Sequence, residues 1–140
     1  MSQPILVDVN VLIDVLIQRQ PHYAASAAIW TAVDRHVLDG WVSADSFSTL
    51  HYLLRKMSDR DTARRSIRLV GEVFSIVPVD VALIKRALHS HLDDFEDAVQ
   101  YECALHVKAT AIITRDRRHF RHTSIPAITP ETFMAKLNLT

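Results

Sequence analysis

The chain has 140 residues, 49% of them apolar, which suits one compact domain spanning 1–140, and its formal charge is zero. No net positive field draws it to nucleic acid, so any such binding must come from local patches. A single cysteine, Cys103, and only two glycines exclude an internal disulfide, a thiolate metal cluster, a Walker A loop and a Gly-rich dinucleotide fingerprint, and suit a reducing, cytoplasmic setting.

The first element is the apolar run Ile5-Leu6-Val7, ending in Asp8, the pattern of a strand buried on both faces. No basic residue precedes it, and Asp8, Asn10 and Asp14 break its apolar character, so neither a signal peptide nor a membrane span is expected. Val11, Leu12, Val15 and Leu16 then recur at helical spacing, and Pro21 introduces a second helix carrying Ala24, Ala27, Ala28, Ile29 and Val33. Gly40 reads as the stop of that helical region, and Trp41-Val42 as a brief second strand. Ser43 to Ser46 offers caps for a helix bearing Phe47, Leu50, Leu53 and Leu54, and a basic helix follows from about Asp61 to Phe74. Ile76, Val77 and Val79 look like a third strand, and Asp80 and Asp94 each open a helix. Ala111 to Ile113 is a strand running through Thr114 and Arg115 into Asp116, and Ile125 to Ile128 is another. Thr129-Pro130 opens the last helix. Strands alternating with helices predict an α/β sandwich with a parallel sheet.

In such sheets, ligands gather beyond the C-terminal ends of the strands. Asp8 and Asp116 both lie there, and Asp94 and Asp97 share one face at the start of a helix. Converging carboxylates repel one another, and a hard divalent ion with oxygen ligands relieves that repulsion. An ion of this kind activates water and stabilises charge on a phosphoryl group, so phosphodiester hydrolysis is the chemistry expected. Asn10 and Thr114 stand where they can orient a carboxylate or a metal-bound water. Helix capping explains Asp8, Asn10 and Asp94 as well, while Asp14 and Asp93 read as solvated surface acids.

With these residues in place, the chain resembles the PIN domain family, which includes VapC-like toxin ribonucleases. The matching segments are Ile5 through Asp14, Asp94 through Tyr101, and Ile112 through Asp116. The resemblance implies a three-layer α/β/α sandwich around a short parallel sheet, a Mg2+- or Mn2+-dependent endoribonuclease, and Asp8, Asp97 and Asp116 as catalytic metal-binding acids with Asp94 as an auxiliary one. It also implies supporting roles for Asn10 and Thr114, an RNA substrate, an antitoxin protein as partner, and a homodimer. One position departs from the pattern: Thr49 stands where the family often has a glutamate, with Asp45 one turn earlier as the nearest acid. A PIN-like module that binds RNA or protein with weak or no cutting is the alternative this departure leaves open.

RNA binding needs positive charge beside the acids. Arg115, Arg117 and Arg118, with Arg121 nearby, flank Asp116 and are expected to touch phosphates. The earlier cluster of Arg55, Lys56, Arg60, Arg64, Arg65 and Arg68 reads as a solvated helix face. His119 and His122 lie close enough to Asp116 in sequence to meet phosphate, but no H-E-x-x-H zinc motif occurs. Trp30, Trp41, Phe47, Phe74 and Phe95 read as core. A phosphorylated receiver-like domain fits poorly because no suitable lysine follows the last strand. A haloacid-dehalogenase phosphatase requires a second aspartate where Asn10 stands.

Overall fold

The computed structural model describes residues 2–138. Strands β1 (Gln3–Val7), β2 (Leu38–Ser43), β3 (Ser75–Val77), β4 (Ala111–Ile113) and β5 (Ala127–Ile128) form one parallel sheet in the order β3-β2-β1-β4-β5. Helices α1 (Val9–Leu16), α2 (Tyr23–Asp34), α3 (Ala44–Met57), α4 (Arg60–Val73), α5 (Val81–Leu88), α6 (Phe95–His106) and α7 (Pro130–Asn138) connect and cover it, with a 3-10 turn at Arg117–Phe120. The alternation along β1 explains the layering. Ile5 and Val7 point into a core shared with Leu12, Ile29, Leu50, Val70 and Phe133, whereas Leu6 faces Leu83, Val99 and Ile112 on the other side. Helices α1 to α4 and α7 therefore cover one face and α5 and α6 the other, giving the expected three-layer sandwich. Leu6 has no solvent exposure, so truncating such a side chain to alanine costs about 2–5 kcal/mol.

Helix starts are fixed by side-chain caps. Ser43 Oγ accepts from the Ser46 N–H at 3.3 Å, Asp59 Oδ1 from Thr62 at 2.8 Å, and Asp80 Oδ1 from Leu83 at 2.9 Å. The basic helix α4 thus starts at Arg60 behind the Asp59 cap, and its arginines Arg60, Arg64, Arg65 and Arg68 lie exposed.

Five sequence readings change. Gly40 is not a helix stop: α2 already ends at Asp34, and Gly40 sits inside β2. A Cβ there would lie 2.5 Å from Val33 Cγ2 and 2.9 Å from Phe74 Cδ1, so glycine is what lets α2 pack tightly onto the sheet. Strand β3 ends before Val79, and β5 is confined to Ala127–Ile128. Phe95, expected in the core, opens α6 and is 47% exposed. Asp14, expected on the surface, is fully buried. Among the described residues no helix is long and apolar enough to cross a membrane.

The chain leaves β1 for β2 on one side, yet pairs β4 with β1 on the other. The sheet order therefore reverses beside β1, and a crevice opens at the C-terminal ends of β1 and β4.

Candidate active site

Asp8 stands at that reversal. Its N–H continues the ladder to the Ile113 carbonyl at 3.0 Å. Its carboxylate caps α1 by accepting from the Val9 N–H at 2.7 Å, while the other oxygen accepts from Thr114 Oγ1 at 2.8 Å. Capping and cleft lining are thus roles of the same side chain. Thr114 is fully buried, and its hydroxyl oxygen also accepts from the Asp116 N–H at 3.0 Å. Asn10 completes the knot: Nδ2 donates to Thr114 Oγ1 at 3.3 Å, and Oδ1 accepts from the Arg115 N–H at 3.3 Å. Asn10 and Thr114 thus tie the Asp8 carboxylate to the backbone of Arg115 and Asp116.

Asp97 is the third residue of α6, and its N–H donates to Asp94 Oδ1 at 3.0 Å. Asp94 is accordingly the cap of α6, and it also lines the crevice with Asp8, Glu96, Asp97 and Asp116. The imidazole of His119 joins the facing acids: Nδ1 lies 3.3 Å from Asp97 Oδ2 and Nε2 lies 2.9 Å from Asp116 Oδ2. One ring therefore spans the gap between Asp97 and Asp116. With N–H on both nitrogens that ring carries one positive charge and satisfies both carboxylates.

Electrostatics mark the crevice as crowded with negative charge. Burial, reinforced by Asp94 and Asp8, pushes the Asp97 carboxyl up to about 6, against the pull of His119. Burial also raises Asp8, opposed by its bonds from Thr114 and Val9. Glu96 is raised by burial first and then by Asp45, Asp94 and Asp8. Such a donor set, all carboxylate oxygen and disfavoured as anions, suits a hard divalent ion. Among the described residues no group of three or more His, Cys, Asp and Glu side chains stands in ligating geometry.

Several other residues were placed wrongly or missed by the sequence. Arg115 is partly exposed, but its guanidinium is engaged: Nε donates to Asp14 Oδ2 at 2.8 Å and Nη2 to Asp14 Oδ1 at 3.2 Å, forming a two-pronged bond to a buried acid that also accepts from Ser26 Oγ at 3.0 Å. Arg117, Arg118 and Arg121 are exposed, and with Asn10, Arg115 and Asp116 they border a groove of about 630 Å³ next to the crevice. Arg118 Nε stands 3.6 Å from Asp116 Oδ1. Thr49 is partly buried, and the wall that α3 gives the crevice is formed one and two turns later by Leu53 and Met57. Glu96, on the opposite wall, brings an extra carboxylate that α3 does not. Its position directly before Asp97 was the only sequence signal for it. His119 was signalled by its spacing of three from Asp116, and Arg19, which also lines the crevice, by nothing in its neighbourhood.

The fold and site together define a class of domain: a three-layer parallel α/β sandwich with a carboxylate-lined crevice where the sheet order reverses. A model of the PIN domain matches residues 4–118, and the chain belongs to that family. Over 142 residues it is 26% identical to Ribonuclease VapC1 of Aquifex aeolicus (strain VF5), an alignment spanning 98% of this chain and 97% of that protein. VapC20 of Mycobacterium tuberculosis, described as a sarcin-ricin loop cleaving toxin, superposes with a TM-score of 0.68 at 14% identity, covering 82% of this chain and 92% of its own. A toxin-antitoxin complex from Klebsiella pneumoniae gives 0.67 at 18% identity, covering 89% and 96%. At those identities the two structures speak for the fold.

Proposed function

We propose that the protein is a metal-dependent endoribonuclease of the VapC kind, the toxin of a toxin-antitoxin pair. The observation that carries this reading is the meeting of Asp8, Asp97 and Asp116 in one crevice, with Asp97 and Asp116 a single imidazole apart. The family and the similarity to Ribonuclease VapC1 support RNA as the substrate.

Asp8, Asp97 and Asp116 would hold the ion, Mg2+ or Mn2+, with Asp94 and Glu96 adding negative charge to the same crevice. A divalent cation bound there supplies an activated water and positive charge for the phosphodiester under attack. Asn10 and Thr114 keep the Asp8 carboxylate aimed. Arg117, Arg118 and Arg121 hold neighbouring phosphates in the adjoining groove and position the strand without reading its sequence. Arg115 lines the same groove with its guanidinium tied to Asp14, and it fixes the backbone between Thr114 and Asp116.

The likeness to a toxin-antitoxin complex supports an antitoxin partner; a homodimer in the cytoplasm completes the reading, and light scattering checks its mass. The decisive assay is cleavage of single-stranded RNA with Mg2+ or Mn2+, run beside Mn2+ titration calorimetry. Asp8→Asn and Asp97→Asn are expected to lose at least about a hundredfold in cleavage and most of the Mn2+ affinity. No cleavage with either metal, in a protein that still binds RNA, would make it the binding module that Thr49 leaves open.

A further inference from the structure

The crevice has a second half that the acids do not explain. Beside the carboxylates, Leu53 and Met57 on α3 line the same space of about 440 Å³, with Val9 and Ile13 as its other apolar residues. Leu53 and Met57 are one helical turn apart and so share a face, and Met57 is 47% exposed although it lies in a concavity. Arg19 lines the same half and, among the described residues, forms no ion pair despite the acids nearby. Asn10 and Asp116 line both this crevice and the arginine groove, so the two spaces adjoin across the acids.

We propose that the Leu53–Met57 wall is a subsite for one unpaired nucleobase of a single-stranded RNA, the base next to the phosphodiester at the acids, with Arg19 at its polar rim. The inference rests on the nuclease reading for the placement of that phosphodiester. Chemistry selects the occupant. A base has an apolar face that packs on a polarizable methionine and a leucine, and a polar edge that can pair with Arg19 and the carboxylates. A purely apolar side chain in the same place would strip water from those carboxylates and give nothing back. The adjoining arginines extend the path for a polyanion on the far side of Asp116. A duplex keeps its bases stacked inside its grooves, so only a strand with a splayed base reaches the wall. The arrangement thus assigns the protein one base position that is read more stringently than the rest.

The test uses the full chain and a fluorescein-labelled single-stranded oligoribonucleotide in which one nucleotide at a time is made abasic. Fluorescence anisotropy measures binding without metal, and cleavage is followed with Mn2+. A loss of about tenfold in affinity is expected at one position, adjacent to the cleaved bond, as for a single stacked base. Met57→Lys should remove that position dependence and Met57→Leu preserve it, with KM raised more than kcat is lowered for Met57→Lys. Met57 is exposed, so both variants should fold. Equal binding of all abasic strands, no RNA binding, or a Met57→Lys loss that is uniform over positions would overturn the subsite. Competition by an apolar peptide that leaves the abasic series flat would make the wall a protein-docking surface instead, and would overturn it too. A position-dependent loss of binding in a chain that cuts nothing with Mg2+ or Mn2+ would sink the nuclease reading while the subsite stands.

Discussion

Replacing Arg115 with alanine would strand the Asp14 carboxylate, which has no solvent exposure, with only the Ser26 hydroxyl of its present side-chain donors. Breaking a buried pair by removing one partner costs about 3–5 kcal/mol, because the remaining charge stays desolvated. The Arg115 side chain is 24% exposed, so water partly reaches the vacated place and the lower end, about 3 kcal/mol, is expected. For a domain of this length that corresponds to a fall of about 6–12 °C in Tm. Urea denaturation followed by circular dichroism should show the midpoint falling with an unchanged slope. Replacing both partners with apolar residues, Asp14→Leu with Arg115→Met, should recover the loss to within about 1 kcal/mol, since no unpaired charge then remains. A cost below about 1 kcal/mol for Arg115→Ala, together with weaker RNA binding, would refute this reasoning and return Arg115 to the phosphate contacts. Arg117→Ala and Arg118→Ala should show the opposite profile, with stability unchanged and a shallower salt dependence of RNA binding.

The two glycines should answer oppositely to alanine. Gly40→Ala forces a Cβ into Val33 and Phe74 and should destabilise by about 1–3 kcal/mol, whereas Gly71→Ala in α4 meets only Phe47 Cε1 at 3.9 Å and should stabilise by about 0.4–1 kcal/mol; paired urea melts decide both. The Asp97 pKa, raised to about 6, makes ion binding depend on pH. A raised acid holds its proton more firmly when folded, so its ionisation works against folding as pH climbs from about 4 to 6. Mn2+ should therefore raise the melting temperature clearly at pH 7 and little at pH 5; equal shifts at both would count against Asp97 as a ligand. Glu96→Gln should weaken Mn2+ binding by about tenfold, the lower range for a residue supporting a metal site. Calorimetry that finds Glu96→Gln indistinguishable from the parent chain would remove Glu96 from the site.

The sheet was legible because short, wholly apolar runs such as Ile5-Leu6-Val7 and Ala111-Ile112-Ile113 admit few other readings, and the acids that end them fall where the topology reverses. What the sequence hid was tertiary. Asp14 looked like a surface acid because its partner, Arg115, belongs to the other end of the chain. Gly40 followed the local rule for helix ends, but close packing against Val33 decides its place. Phe95 joined the apolar pattern of α6 although it opens that helix and faces solvent. His119 could not be placed, because the 3-10 turn at Arg117–Phe120 is what aims its ring between Asp97 and Asp116. Arg19 and Met57 enter the crevice only through the way α1 and α3 stand beside the sheet.

The knot of Asp8, Asn10, Thr114 and the Arg115 N–H has a consequence in time as well as in space. Domains fold as their residues leave the ribosome, and Asp8 emerges early, but the hydroxyl and backbone groups that aim it belong to Thr114 and Arg115. A nascent chain therefore carries Asp8 unaimed until Thr114 and Arg115 have been added. The crevice is assembled only once β4 has slotted in beside β1, so the chain must be made through Asp116 before Asp8 is aimed.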